Sequence, residues 1–180
     1  MSGESKVRKG DGRRARGNRT GFTTGACAAA AAKAAALGLL TGEVPAEVAC
    51  RLPNGQTVSF AVVDGRVAED GSAHAVIIKD AGDDPDATHG AHLTADVRLL
   101  PHRAGEIVLK GGPGVGMVTK EGLGLEVGGP AINPVPRRNI ADNVREAAGE
   151  LLAHDGLEVT IAVPGGEEMA QKTLNARLGI

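Results

Sequence analysis

Residues 48–62, Val-Ala-Cys-Arg-Leu-Pro-Asn-Gly-Gln-Thr-Val-Ser-Phe-Ala-Val, decide how this chain folds. Val48, Cys50 and Leu52 alternate with more polar neighbours, Pro53-Asn54-Gly55 turns the chain, and Val58, Phe60 and Val62 alternate again. A period of two on both arms of a turn predicts a hairpin with one buried face. Upstream the period changes. Thr24 reads as the N-cap of a helix through the alanine-rich block Ala26 to Leu40, which Gly42 closes. Alanine is the best helix former and lets another backbone approach closely. Downstream, strands are predicted at Ala73–Lys79, Ala91–Leu100, Glu106–Leu109 and Leu157–Val163, and a short helix at Glu167–Leu174. A longer helix fits Arg138–Ala153, where Ile140, Val144, Ala147, Ala148, Leu151 and Leu152 form one stripe. Hairpins that precede helices favour an α+β fold: an antiparallel or mixed sheet with helices packed on one side, in two layers, rather than a doubly wound parallel sheet.

Composition narrows the function classes. At 180 residues and 18.2 kDa the chain has room for one core, and no interdomain linker or repeat is visible. Only Phe22 and Phe60 are aromatic, so stacking platforms for bases or sugars are nearly absent. No run is read as reaching the roughly 18 to 20 apolar residues that cross a bilayer, and the basic N-terminus is not followed by a signal-peptide core. A soluble, intracellular, cytoplasmic protein is expected. Cys27 and Cys50 lack the CxxC and histidine spacings of a zinc site, and both read as reduced, buried small residues. The charge is uneven. Residues 1–19 carry seven Lys or Arg against Glu4 and Asp11, a net +5, while the remainder carries −7. The tail therefore reads as a disordered, solvated extension and residues 20–180 as a single domain. An acidic body argues against nucleic-acid binding.

Three segments carry candidate chemistry. Thr20-Gly21-Phe22-Thr23-Thr24-Gly25 stands at the mouth of the alanine-rich helix, where free amides and a partial positive charge suit a carboxylate or phosphate. Plain helix capping explains it equally well. Residues 80–90 hold Asp80, Asp83, Asp84, Asp86 and His89, a set suited to a divalent cation or to general base work, or simply to turn formation. His89 is the better proton-handling candidate among five histidines, because carboxylates flank it.

The third segment, Gly111–Pro136, packs eight of the 27 glycines into its first twenty residues and three of the nine prolines into its last seven. Met117, Val118, Leu123, Leu125, Val127 and Ile132 are expected to anchor it, and its prolines to leave it by an extended path. Gly111–Gly116 has P-loop glycine spacing, but Met117 and Val118 stand where Lys and Ser/Thr are required. What remains is a glycine-lined cradle with Lys120, Arg137 and Arg138 at its exits, suited to a flat, acidic small molecule.

TGFTTGACAAAAAKAA (20–35), KDAGDDPDATHG (79–90), GVGMVTKEGLGLEVGGPAINPVPRR (114–138) and KTLNARLGI (172–180) together resemble the CbiD family, the cobalt-precorrin-5B C1-methyltransferases of anaerobic cobalamin biosynthesis. The resemblance runs almost continuously from Thr20 to Ile180 and implies methyl transfer from S-adenosylmethionine to ring carbon C1 of a cobalt-bearing tetrapyrrole. It implies no metal site of the protein's own, since cobalt arrives within the substrate. Family members are about twice this long, so the chain is expected to be an N-terminal part, associating with a C-terminal half or with copies of itself. On this resemblance Thr23, Thr24, Lys120, Arg137 and Arg138 are expected to hold substrate carboxylates. Gly112, Gly114 and Gly116 are expected to contact the cofactor, and Asp80, Asp84 and His89 to manage proton shifts. Two readings compete with the enzyme: a non-catalytic corrinoid-precursor binding or docking module, and, least favoured, an RNA-associated protein acting through its basic tail.

Overall fold

A computed structural model of the chain describes residues 21–83, 88–122 and 124–172. The expectation for residues 1–19 lies outside them. In chain order the elements are α1 (Thr24–Thr41), β1 (Glu47–Arg51), β2 (Thr57–Ala61), β3 (Asp64–Val67), β4 (Ala73–Ile78), β5 (His92–Leu100), β6 (Ile107–Gly111), α2 (Pro134–Ala148), a 3₁₀ turn (Gly149–Ala153), β7 (Gly156–Ala162) and α3 (Gly166–Lys172). Strands β1 and β2 form the expected hairpin, with Val48 opposite Phe60 and Cys50 opposite Val58. The other five make a mixed sheet in the order β3-β4-β5-β7-β6, antiparallel except for the pair β6 and β7. An α+β fold with helices on one side of a mixed sheet is what the sequence predicted. Helix α1 lies against the sheet, and α2 lies on α1.

Helix α1 has no polar face. Ala28 to Ala32 and Ala34 to Ala36 are wholly buried, because the sheet covers one side of the helix while α2 and β1 cover others. By length and mean hydropathy Thr24–Thr41 would suit a membrane span, contrary to the reading that no run qualifies; here the helix is the centre of a protein core. Its only charge, Lys33, is buried. The Lys33 Nζ donates to the Ala49 carbonyl at 2.7 Å and lies 3.6 Å from Glu146 Oε2, tying α1 to both β1 and α2. Gly42 closes the helix at φ 83°, where its N–H reaches the Gly38 carbonyl at 2.8 Å. The N-cap is Thr23 rather than Thr24: Thr23 is extended, and its Oγ1 accepts from the Ala26 N–H at 3.1 Å.

Two further departures have simple causes. Strand β3 reads Asp-Gly-Arg-Val and is mostly exposed at a sheet edge, so it shows no apolar alternation. Helix α2 starts at Pro134, four residues before the predicted start. Pro134 and Pro136 occupy the first turn, where the missing N–H has no partner to lose, instead of holding an extended exit.

On the open face of the sheet Arg98 and Lys110 close on Glu158 at 2.7 and 2.9 Å. The Arg98 guanidinium, opposing partial burial, holds the Glu158 carboxyl down at about 2, against an ordinary 4.5. A depressed folded-state value means the stabilisation is whole above pH 4.5 and is lost as pH falls toward 2. In acid-unfolding profiles Glu158→Gln should flatten that limb, by about 1 kcal/mol after solvent screening of the exposed cations.

Candidate active site

Three sequence segments that are far apart in the chain meet at one end of the sheet. Register places the end of β4 (Ile78) beside the start of β5 (His92), Thr94 beside Ala162 at the end of β7, and Gly111 of β6 beside Ile161. The acidic loop, the glycine-rich loop and the C-terminal ends of the parallel pair therefore share an edge. The approach to α1 joins them: the Phe22 N–H donates to the Asp80 carbonyl at 2.8 Å, and a Cβ on Gly21 would sit 1.9 Å from the Ala81 carbonyl carbon. Gly25 meets Pro136 so closely that a Cβ there would lie 2.9 Å from the proline Cβ, so the first turns of α1 and α2 touch. Phe22 and Phe60 pack with ring centroids 4.8 Å apart, linking this end to the hairpin.

The acidic loop is held by specific bonds. Asp80 Oδ1 accepts from the Gly82 N–H at 2.8 Å. His89 Nδ1 lies 3.9 Å from Asp80 Oδ1 and accepts the Ala81 N–H at 3.1 Å. An imidazole accepting at Nδ1 carries its neutral-state proton on Nε2. With its side chain 56% exposed, His89 thus presents an N–H donor to this end of the molecule. Asp84 lies outside the described residues. Beneath the loop the buried Lys79 donates from Nζ to Thr88 Oγ1, while its backbone bonds Ala91 and Gly90 at 2.9 and 2.8 Å. Lys79 was missed by sequence reasoning; a lysine closing an apolar strand is a weak signal.

The glycine-rich loop folds on itself through an antiparallel bridge of Met117 with Pro130 and bonds between Val118 and Gly128 and Gly129. Val118 and Ile132 are buried anchors, but Met117 and Val127 are exposed, and Leu123 lies outside the described residues. Gly112 closes against β7 and Gly114 against the residues just after it, where a Cβ on Gly114 would stand 1.8 Å from the Val163 carbonyl oxygen. That contact accounts for the two glycines without a ligand. Gly116 and Lys120 are exposed.

Arg137 and Arg138 do not form a pair. Successive helical residues point about 100° apart. Arg137 turns to the loop, its Nη2 donating to the Pro130 carbonyl at 3.4 Å while its buried Nε has no hydrogen-bond partner. Arg138 is exposed and lines a separate cleft. Burial raises the thiol of Cys27 to about 12 and that of Cys50 to about 11, so neither is a nucleophile at neutral pH. Among the described residues no group of three or more His, Cys, Asp or Glu is arranged to hold a metal ion.

The chain as a whole is similar to known proteins. The family model CbiD matches residues 11–180. The cobalt-precorrin-5B C(1)-methyltransferase of Dechloromonas aromatica is 81% identical over 176 residues, 97% of this chain and 45% of that protein. The protein of the same name from Methylococcus capsulatus is 69% identical over 93% of this chain and 44% of its own length. The crystal structure of the cobalamin biosynthesis protein cbiD from Archaeoglobus fulgidus superposes with a TM-score of 0.62 at 32% identity, covering 90% of this chain and 49% of that one. The chain thus spans about half the length of the relatives it matches.

Proposed function

Since the chain belongs to the CbiD family, we propose that it contributes the substrate-holding part of a cytoplasmic enzyme that methylates C1 of cobalt-precorrin-5B, with S-adenosylmethionine as methyl donor. The observation that carries this reading is the convergence of the α1 mouth, the acidic loop and the glycine-rich loop at the carboxyl ends of β6 and β7. There the one parallel pair of the five-stranded sheet ends and both of its outgoing segments leave the sheet together. A tetrapyrrole rimmed with acetate and propionate groups needs donors spread around a broad surface. Thr23 offers its hydroxyl proton, since its oxygen already accepts the capping bond. Thr24, Lys120 and Arg137 supply further donors, and the unpartnered Nε of Arg137 gains a partner when a carboxylate arrives.

The bound donor supplies an electrophilic methyl group on a sulfonium. The chain's own residues position the macrocycle carbon, and positioning dominates such a reaction. His89, with its proton on Nε2, and Asp80 and Asp84 handle the proton shifts that accompany methylation at carbon. Gly116 and its loop offer a surface for the flat ring.

Calorimetric titration with a cobalt tetrapyrrole polycarboxylate tests the reading. Arg137→Ala should weaken binding about tenfold, the worth of one charge-assisted hydrogen bond; unchanged affinity would refute the carboxylate role. His89→Ala with undiminished turnover in the full-length family enzyme would remove His89 from proton handling. Tetrapyrrole binding with no response to the methyl donor in any context is what a corrinoid-precursor carrier predicts.

A further inference from the structure

The hairpin turn and α2 enclose a cleft of about 720 Å³, on a different face of α2 from Arg137. Its size lies in the about 300–1,000 Å³ range of small-molecule sites. The helical side is a stripe at positions 135, 138, 139, 142, 143 and 146; the other side is Arg51, Leu52, Pro53 and Gly55. A relay of amides orders its floor. The Arg51 N–H donates to Asn143 Oδ1 at 3.0 Å, which fixes the orientation of that amide. Asn143 Nδ2 then donates to the carbonyls of Arg51 and Asn139, both at 2.9 Å, and to Asn139 Oδ1 at 3.2 Å. With Oδ1 committed as acceptor, Asn139 must turn Nδ2 away from Asn143. That nitrogen is buried and has no partner, in a residue 7% exposed.

A buried donor without a partner costs about 1–3 kcal/mol unless something accepts from it. The same cleft is lined by the Arg51 and Arg138 guanidinium groups, neither of them in an ion pair among the described residues, and by the carboxylates of Asp142 and Glu146, of which Glu146 lies 3.6 Å from Lys33. Two cations and an oriented N–H suit a carboxylate; an acid one helical turn from Arg138 suits an ammonium. We propose that this cleft binds the zwitterionic α-amino-acid end of a small molecule, and that in this protein the molecule is the methyl donor. Naming the donor rests on the function proposed above; the preference for a zwitterion does not. The placement differs from the glycine turn Gly112–Gly116 expected from sequence, where β7 and the residues just after it already fill the space beside Gly112 and Gly114.

Binding of S-adenosylmethionine, S-adenosylhomocysteine and adenosine to the 180-residue chain should be measured by calorimetry. The expected result is that the two amino-acid-bearing ligands bind and adenosine binds far more weakly. Arg138→Ala, at an exposed position, should weaken the first two about tenfold, and Asn139→Leu should do the same. Arg137→Ala should leave them unchanged. No binding by the unaltered chain, or affinities that ignore Arg138→Ala and Asn139→Leu alike, would overturn the assignment. Parallel tetrapyrrole titrations separate the two ideas. Tetrapyrrole binding without donor binding sinks the cleft and leaves the substrate role standing. Cleft-dependent donor binding without tetrapyrrole binding does the reverse.

Discussion

Gly114→Ala should cost about 3 kcal/mol or more in urea unfolding. Gly114 sits at φ 79°, a region that alanine enters only with strain. Its new Cβ would also lie 1.8 Å from the Val163 carbonyl oxygen and 3.2 Å from the Gly166 nitrogen. Both neighbours are backbone, so no rotamer change relieves the overlap. The turn would have to leave β7, breaking the bonds from the Gly112 N–H to the Ile161 carbonyl at 2.8 Å and from the Val163 N–H to the Pro113 carbonyl at 2.9 Å. Gly122→Ala is the internal control. It shares a positive φ, at 110°, but has nothing within 4 Å of the added Cβ, so it should lose only the backbone term of about 1 kcal/mol. Equal losses in the two variants would show that the contact with the residues just after β7 contributes nothing.

Asn143→Leu keeps the branching and the number of side-chain heavy atoms and should still cost about 3 kcal/mol, because it removes bonding partners from polar groups that stay buried. Asn143 is 1% exposed and joins residues 92 positions apart, bonding both the N–H and the carbonyl of Arg51. Leucine would leave that N–H without its acceptor and free the Asn139 amide to rotate. The hairpin would then be held to α2 by apolar contact and by Lys33. Hydrogen exchange gives a readout that global unfolding does not: the Arg51 amide should lose protection while amides in β5 and β7 keep theirs. Retained protection at Arg51 would mean that the edge of β1 is shielded by something other than Asn143.

How much was legible in advance depended on whether the signal was local. The arms of residues 48–62, the closing Gly42 and the stripe that begins at Ile140 are statements about neighbours in the chain, and the hairpin, the end of α1 and the body of α2 appear there, although α2 stops at Ala148 and leaves Leu151 and Leu152 in the 3₁₀ turn. The edge strand β3 is mostly exposed and is held chiefly by pairing with β4, so its sequence had little reason to alternate. The prolines of the third segment were misread for a related reason. A proline fixes φ near −65°, a value shared by an extended path and by a first helical turn, and only the residues packed around Pro136 select between them. In the site, the chemical types of Thr23, Asp80, His89 and Arg137 were readable. That His89 accepts from Ala81, and so points a proton outward, was not.

The sequence by itself determined the hairpin, the buried alanine helix and the grouping of donors and acids into three segments, because period, capping and turn chemistry act within a few residues. Only the tertiary structure decided that those segments share one end of the sheet, that Arg137 and Arg138 part company, and that Asn143 turns Asn139 toward a cleft. Those outcomes follow from strand order and helix rotation. Both are set by which surfaces exclude water together, across separations that no local pattern encodes.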